Sequence, residues 1–595
     1  MASTVFAVLE ATAVAHPDLP ALREKRDGSW QTITWEGYRR EALAVARGFI
    51  RLGLEPGQGV AILGANCPRW FFADLGAIAA GGVPTGIYTT STAEQCQYIA
   101  GHCEAGVLVL EDASRLASFD RAALPRLRGV VLMRGESDEL GVHSWRQLLA
   151  AGDEVPEGVV RNRLDRQRPD DLATLIYTSG TTGPPKGVML SHQNITWIGE
   201  RVAAAFRVGT GDLVVSYLPL SHIAEQVVSL YSPMAVGACT WFAESLDALG
   251  ANLREARPHM FFGVPRVWEK LQAAIQAAGA KNPPLKKKIA AWARRKGLAG
   301  GYAEQRGGSR PALYGLAERL VFTKVRQRLG LDRARVCATS AAPISLDTLE
   351  FFLSLGIPLL EVYGMTECTG PTTFSTPDRF RTSKAGYAIP DTELKIADDS
   401  EICFRGPHVC LGYYKDEAAS GETIDEEGWL HSGDIGSLDE EGFLKVTDRK
   451  KELIITSGGK NVAPQPLEAK LKGIPAVGQA VALGDRRNYV AALFTLDPDR
   501  LAEEAGKAGS PAREPATAAA CPRFRAYLDR QVEAVNRTLA RYEQVRRYAV
   551  LPGQLTVAGG ELTPTMKLKR RVINEKYAAE IEALYSAAVE AAQEA

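Results

Sequence analysis

The sequence predicts an α/β protein. A large N-terminal domain of two αβ-layered parallel-sheet subdomains plus a small β-barrel-like subdomain is followed by a smaller α+β C-terminal domain. Three observations carry this expectation. Short apolar runs alternate with amphipathic stretches from about residue 59; near 385 they give way to short strands joined by Gly-rich turns; and a fresh mixture of helices and strands begins after residue 451.

The first rhythm runs GVAIL (59–63), PRWFFADLGAIAA (68–80), VPTGIY (83–88), TAEQCQYIAGHC (92–103) and GVLVLED (106–112), which is a βαβ pattern. It resumes at LATLIYTSG (172–180) and continues through DLVVSYLPL, ACTWFA, HMFFGVP, ARVCATS and IPLLEVYG, each followed by a turn or a helical pattern. Two parallel sheets are the economical reading, with ligand sites where strands end in loops. TELKIAD, EICFRG, WLHSGDIGSL and FLKVTDRKK then suit a small antiparallel or barrel-like unit. A domain boundary is expected close to Lys451, dividing residues 1–450 from 451–595, and a single long helix is expected near 569–592. Residues 281–310 and 503–522, rich in Gly, Pro, Ala and charge, read as inserted loops or solvated helices.

With 595 residues, 46% of them hydrophobic, the chain can bury several cores, which excludes disordered and fibrous classes. Seventy basic residues balance seventy acidic ones, so no overall field recruits nucleic acid. Nine cysteines without a CxxC suggest neither a disulfide framework nor a zinc ribbon, and a reducing cytoplasm is expected. No basic leader with a long apolar core opens the chain, and no apolar run approaches the ~20 residues that span a bilayer. The basic stretch Lys286 to Lys296 leaves peripheral membrane contact open, although a solvated helix face is the plainer reading.

The densest chemical signal is Tyr177 to Gly187, YTSGTTGPPKG, directly after the apolar strand LATLI. Thr178, Ser179, Gly180, Thr181, Thr182, Gly183 and Lys186 supply a collar of N–H, O–H and ammonium donors suited to phosphate. The order differs from GxxxxGK[ST], so a P-loop ATPase is disfavoured. Further along stand Ser340-Ala341-Ala342-Pro343, Tyr363-Gly364-Met365-Thr366-Glu367, His431-Ser-Gly-Asp434, Asp448-Arg449-Lys-Lys451 and Leu562-Thr-Pro-Thr-Met-Lys567-Leu-Lys569-Arg570. No GxSxG elbow or catalytic triad accompanies them.

In this order the motifs resemble those of the adenylate-forming family, and the resemblance spans roughly residues 30 to 580. It implies that the 178–186 loop holds ATP phosphates and that Ala341 and Ala342 let adenine approach the backbone. Tyr363, Gly364 and Thr366 would flank the adenine, while Glu367 and Thr181 would hold Mg2+, a hard ion that takes oxygen ligands. Asp434 and Arg449 would bind the ribose and the nucleotide, and Lys451 would be the hinge. Lys567 would be the catalytic lysine. The form here, Thr565-Met566 before it, departs from the commoner Ser-Gly or Thr-Gly, so Lys569 remains an alternative. His222, in LPLSHIAE, would stand where acyl and nucleotide pockets meet, and Ile223 to Gly237 would line an acyl tunnel or form an ordinary buried helix.

Gly458, Gly459 and Lys460 resemble the loop that meets the coenzyme A side after domain rotation. Phe261-Phe-Gly-Val-Pro-Arg-Val-Trp-Glu-Lys270 resembles long-chain acyl-CoA synthetases, bubblegum-type branch included. The implied activity is ATP-dependent ligation of a long-chain fatty acid to coenzyme A through an acyl adenylate. The alternatives are a fatty acyl-AMP ligase serving a carrier protein, a luciferase-like oxidative enzyme and a non-catalytic acyl-nucleotide-binding regulator.

Overall fold

A computed structural model describes residues 3–178, 184–563 and 567–593 of the chain, with side chains as far as residue 586. Ser179, Gly180, Thr181, Thr182, Gly183, Thr565 and Met566 therefore lie outside the described residues.

The first layer is an eight-stranded sheet. Six parallel strands, Leu172–Thr178, Val83–Ile87, Gly59–Leu63, Ala105–Leu110, Gly129–Leu132 and Val142–Ser144, lie side by side in that order. Gly59–Leu63 and Ala105–Leu110 are buried at every position, which is what helices on both faces require. Alternation sorts their side chains into two cores. Val60, Ile62, Val107 and Val109 join helices Trp35–Arg51 and Pro68–Ala79 on one face. Ala61, Leu63, Leu108 and Leu110 join Cys96 and Ile99 of helix Ala93–His102 on the other.

The sheet is not wholly parallel, as the sequence rhythm suggested. Lys186–Ser191 pairs antiparallel with Leu172–Thr178, and Gly412–Tyr413 pairs antiparallel outside it. The cause is connection length: the few residues after Thr178 can close a hairpin but not a parallel crossover.

The second layer runs Ser29–Thr34, Pro20–Arg26, Cys239–Phe242 and Leu213–Ser216, then Met260–Gly263, Val336–Thr339, Leu359–Met365, Gly370–Phe374 and Tyr387–Ala388. Its two segments meet where the His259 N–H donates to the Leu213 carbonyl at 2.9 Å. Three strands, from Met260 to Met365, are parallel, and the strands beyond them return antiparallel.

A four-stranded antiparallel unit follows, Glu393–Ile396, Glu401–Arg405, Leu430–Leu438 and Leu444–Arg449, centred on Ile402, Phe404, Leu430 and Leu444. From Ile454 onward the chain builds separate cores around the three-stranded sheet Val477–Leu483, Val490–Leu496 and Val545–Val550.

Two other expectations change. Residues 284–305 form one helix, Pro284–Gln305, whose early lysines are exposed, whereas Gly297 and Gly301 let its later half lie against Ser354 and Leu353. A Cβ on Gly297 would stand 2.1 Å from the Ser354 carbonyl oxygen. The single C-terminal helix is instead two, Arg570–Lys576 and Ala578–Gln593. Between them Tyr577 leaves helical dihedrals (φ −108°, ψ 28°) while its ring packs on the C-terminal core and its hydroxyl donates to Glu561 at 3.3 Å. No helix of the described residues is long and apolar enough to cross a membrane.

Candidate active site

The C-terminal ends of the strands converge on one cleft. Leu359–Met365 carries Tyr363 and Gly364 and runs into the short turn Thr366–Cys368, which buries Thr366 and Glu367. The turn depends on Gly364, because a Cβ there would fall 1.8 Å from the Gly370 carbonyl oxygen on the paired strand. Buried Glu367 is held by the Tyr413 hydroxyl, which donates to Oε1 at 2.8 Å. The Lys186 ammonium stands 4.8 Å from the Tyr413 ring centroid and 3.8 Å from Asp416 Oδ2. Lys186 sits opposite Thr178 across the hairpin that closes the phosphate loop. Glu367, Tyr413 and Lys186 thus form one run of contacts from the strand end to the loop.

Tyr363 faces the other way, into the antiparallel unit, where its hydroxyl donates to Asp434 Oδ2 at 2.6 Å. Asp434 and Arg449 are cross-strand partners, with Arg449 Nε 3.4 Å from Oδ1. Burial pushes the Asp434 carboxyl above its usual range, while Arg449 and the Tyr363 hydroxyl pull it back. Ala341 takes a left-handed backbone (φ 75°) and Ala342 is exposed, so the turn after Val336–Thr339 presents backbone rather than a bulky side chain.

His222 caps helix Ile223–Gln226, its Nδ1 accepting the Ala224 N–H at 3.1 Å. Burial, helped by the Lys567 cation, lowers its pKa to about 4. The ring is therefore neutral at pH 7, with its proton on Nε2. Sequence reasoning gave no role to Glu225, three residues on, yet this buried carboxylate organises the loop before His222. Its Oε1 accepts from the Ser216 hydroxyl at 2.6 Å, the Ser229 hydroxyl at 2.7 Å and the Tyr217 N–H at 3.1 Å. The only signal for it was a carboxylate at the head of the apolar run to Gly237. That run is a buried helical stretch, broadened by a π turn at Val227–Tyr231. Tyr413 and Asp416 were likewise missed; GYYKDE reads as an ordinary polar turn.

Lys567 lies where the C-terminal residues reach this cleft. Its side chain is exposed to solvent at one edge yet shares the electrostatic field of Arg449, Asp434, Glu367 and Glu452; the neighbouring protein and Arg449 lower its pKa, against the pull of the carboxylates. The segment is fastened on both sides. Thr563 and Lys567 exchange hydrogen bonds of 2.8 and 3.0 Å. Arg570 makes a fork of two 2.8 Å bonds to buried Glu468 and a third, at 3.2 Å, to Glu452. Lys569 instead caps helix Arg570–Lys576, its N–H donating to the Glu561 carbonyl at 2.7 Å.

Lys451 is exposed, between Arg449 and the first turn of the C-terminal core. Next to it, buried Asp448 crosses to helix Pro464–Lys472 by accepting the Gln465 N–H at 2.9 Å, and burial raises its carboxyl to about 6. Gly458, Gly459 and Lys460 are exposed in the turn between Ile454–Ile455 and Asn461–Val462. Those three do not face the cleft residues through any contact recorded among the described residues.

Known proteins match this arrangement along the whole chain. The AMP-binding enzyme profile matches residues 9–414, and the profile of the AMP-binding enzyme C-terminal domain matches residues 451–589. The chain is 41% identical to a long-chain-fatty-acid–CoA ligase of Xenopus laevis over 617 residues, 98% of this chain and 84% of that protein. It is 38% identical to a long-chain-fatty-acid–CoA ligase of Bos taurus over 618 residues, 98% and 85% of the two chains. Among solved structures, the A domain of a carboxylic acid reductase from Segniliparus rugosus in complex with AMP superposes with a TM-score of 0.76. That likeness is one of fold, at 20% identity over 98% of this chain and 94% of the other. With a cleft assembled from both parts of the chain and both profiles matched in order, the chain belongs to the AMP-binding enzyme family.

Proposed function

We propose that the protein is an ATP-dependent long-chain fatty acid:CoA ligase, with residues 1–450 as the adenylation domain and residues 451–595 as a mobile C-terminal domain. The observation that carries this reading is the Lys567 cation, contributed by the C-terminal residues to a cleft whose Glu367, Asp434 and Arg449 come from the N-terminal ones. The names of the relatives in Xenopus laevis and Bos taurus support the acyl and thiol substrates.

In the first step a carboxylate oxygen of the fatty acid attacks the α-phosphorus of ATP and pyrophosphate leaves. Such a displacement needs positioning and charge neutralisation more than a protein nucleophile. Asp434, braced by Tyr363 and Arg449, orients the ribose; Lys186 and the loop Thr178 to Gly183 hold the phosphates; Lys567 meets the charge that collects between carboxylate and α-phosphate. Glu367 fits Mg2+, since a carboxylate oxygen fixed by the Tyr413 hydroxyl is the hard donor that ion selects. When bound, the ion neutralises phosphate charge. His222, neutral with a free N–H at Nε2, donates a hydrogen bond to an oxygen of the adenylate rather than trading protons. In the second step the thiol of coenzyme A attacks the acyl carbon and AMP leaves, with Lys451 as hinge and Gly458 to Lys460 as the loop facing the thiol.

The test is pyrophosphate release from Mg-ATP across acetate, octanoate, palmitate and amino acids, with and without coenzyme A, following acyl-CoA by mass. Palmitate-dependent release with palmitoyl-CoA formed supports the ligase. Release without thioester transfers the case to an acyl-AMP ligase serving a carrier protein, and no release with any carboxylate overturns both.

A further inference from the structure

On the far side of the antiparallel unit from its apolar core lies a group of side chains that catalysis does not use. Along Glu401–Arg405, Ile402 and Phe404 point into the core while Glu401 and Cys403 point away from it, as strand alternation requires. His431, on the neighbouring strand, is the cross-strand partner of Cys403. Its Nδ1 stands 3.5 Å from Cys403 Sγ and 3.4 Å from Glu401 Oε2, and donor atoms of all three residues lie within 4.8 Å of one another.

We propose that Glu401, Cys403 and His431 form a binding site for a borderline divalent cation, zinc in the first place, with water completing a tetrahedron. Zinc ligated at ~2.0–2.3 Å leaves ligand atoms ~3.3–3.8 Å apart, and the two measured separations fall in that range. One sulfur, one imidazole nitrogen and one carboxylate oxygen is a donor set that suits zinc and not magnesium.

A second observation comes from outside the triad. The other ring nitrogen of His431, Nε2, faces Asp425 Oδ2 at 3.3 Å. A carboxylate there keeps the proton on Nε2 and turns the Nδ1 lone pair toward Cys403 and Glu401, the arrangement that metal-binding histidines use. Cys403 and Glu401 are buried, while half-exposed His431 leaves an entry path.

Binding exchanges the Cys403 thiol proton for the metal, releasing one proton to solvent. Two cations stand nearby. Lys395 is the cross-strand partner of Cys403 on its other side and lies over the Trp429 ring at 4.0 Å, so it is held away from the carboxylates. Lys450 Nζ is 3.2 Å from Glu401 Oε2 and also pairs with Asp399; the metal displaces it from the first and leaves it the second. Glu401 Oε1 keeps the Gly433 N–H, at 2.8 Å. The site therefore touches the loop that carries Asp434 and the lysine next to Lys451.

The experiment is titration of the purified full chain with Co2+ as a spectroscopic stand-in, then competition by Zn2+ and by Mg2+. A thiolate-to-cobalt charge-transfer band at one equivalent, abolished by Zn2+ but not by Mg2+, is the expected result. Cys403→Ser and His431→Ala should lose the band, Cys521→Ser should keep it, and Asp425→Asn should weaken binding by ~10- to 100-fold. Zinc retained per chain by the unsubstituted protein after equilibrium dialysis, counted by atomic absorption, should reach one, which tests the site even where a variant folds poorly. Absence of the band, its survival in Cys403→Ser, or no zinc retained by the unsubstituted protein would overturn the proposal.

Discussion

Lys567 and Lys569 are separated by a single residue, Leu568, and their surroundings differ by more than their spacing. Lys567 lies in the field of Glu367, Asp434 and Arg449, whereas the Lys569 backbone caps a helix and its ammonium is not among the groups that face those residues. Transition-state charge is stabilised by groups already aimed at it, and losing one such group costs on the order of 100- to 1000-fold in rate. Lys567→Ala should therefore slow palmitate-dependent pyrophosphate release by that order while leaving thioester formation from supplied palmitoyl-AMP within a few-fold of normal. Lys569→Ala should leave both steps near normal. Intact pyrophosphate release in Lys567→Ala would remove that lysine from the mechanism. At this scale much was legible in sequence, because Tyr363, Glu367, Asp434, Arg449 and Lys567 each stand in a short motif at a strand end or turn. Tyr413, Asp416 and Glu225 were not, because what they do depends on contacts across the fold, such as that between Tyr413 and Glu367.

Packing between helices creates a different kind of sensitivity. Helix Pro68–Ala79 lies against Trp35–Arg51 and buries Asp74 completely, with neither carboxylate oxygen hydrogen-bonded among the described residues. The hydroxyls of Tyr38 and Ser232 are buried without partners as well, and Tyr38 lies within electrostatic reach of Asp74. Burial raises the Asp74 carboxyl to about 8, so the folded protein carries it neutral at pH 7. The unfolded chain ionises it near pH 4. Between those values the folded state binds the extra proton, so stability falls as pH rises from about 4 to about 8, then levels off once both states are ionised.

Asp74→Asn removes that titration. Its stability relative to the parent, read from melting temperatures, should climb by on the order of 1 kcal/mol per pH unit from pH 5 to pH 8 and stay constant above pH 9. A difference that does not change with pH would mean that Asp74 is ionised in the fold. The alternation of strands and helices made these elements readable, yet not their edges. Gly412–Tyr413 is two residues long and joins a sheet whose neighbouring strand lies more than two hundred residues earlier, beyond the reach of any local periodicity.

For the molecule as a whole, one chain has to serve two reactions, the first at the α-phosphorus and the second at the acyl carbon, and only the arrangement with Lys567 in the cleft is seen here. The sequence marked a change of texture at Lys451 but carried no information on which face the C-terminal residues turn toward the cleft, because that depends on long-range contacts such as the field around Lys567. Gly459 separates the two steps experimentally. It sits in an exposed turn with φ 72°, its N–H donating to the Thr456 carbonyl at 2.8 Å, and a Cβ there would meet no atom within 4 Å. Leucine at this position strains the turn by ~1–2 kcal/mol locally and its Cβ meets no neighbour in the present arrangement, so pyrophosphate release should stay within a few-fold of normal.

After rotation the same turn would stand against the acyl carbon and the incoming thiol, where a branched side chain fills the approach. Gly459→Leu should then slow palmitoyl-CoA formation from palmitoyl-AMP by an order of magnitude or more, equivalent to at least ~1.4 kcal/mol in the barrier. The measurement is a pair of half-reaction assays on one preparation, with Lys567→Ala beside it as the opposite case. Equal losses in both half-reactions would mean that the turn acts through the stability of the C-terminal core. Loss confined to the thiol step is what alternation about Lys451 requires, since a residue remote from the cleft in one arrangement can govern one step alone only if a second arrangement brings it there.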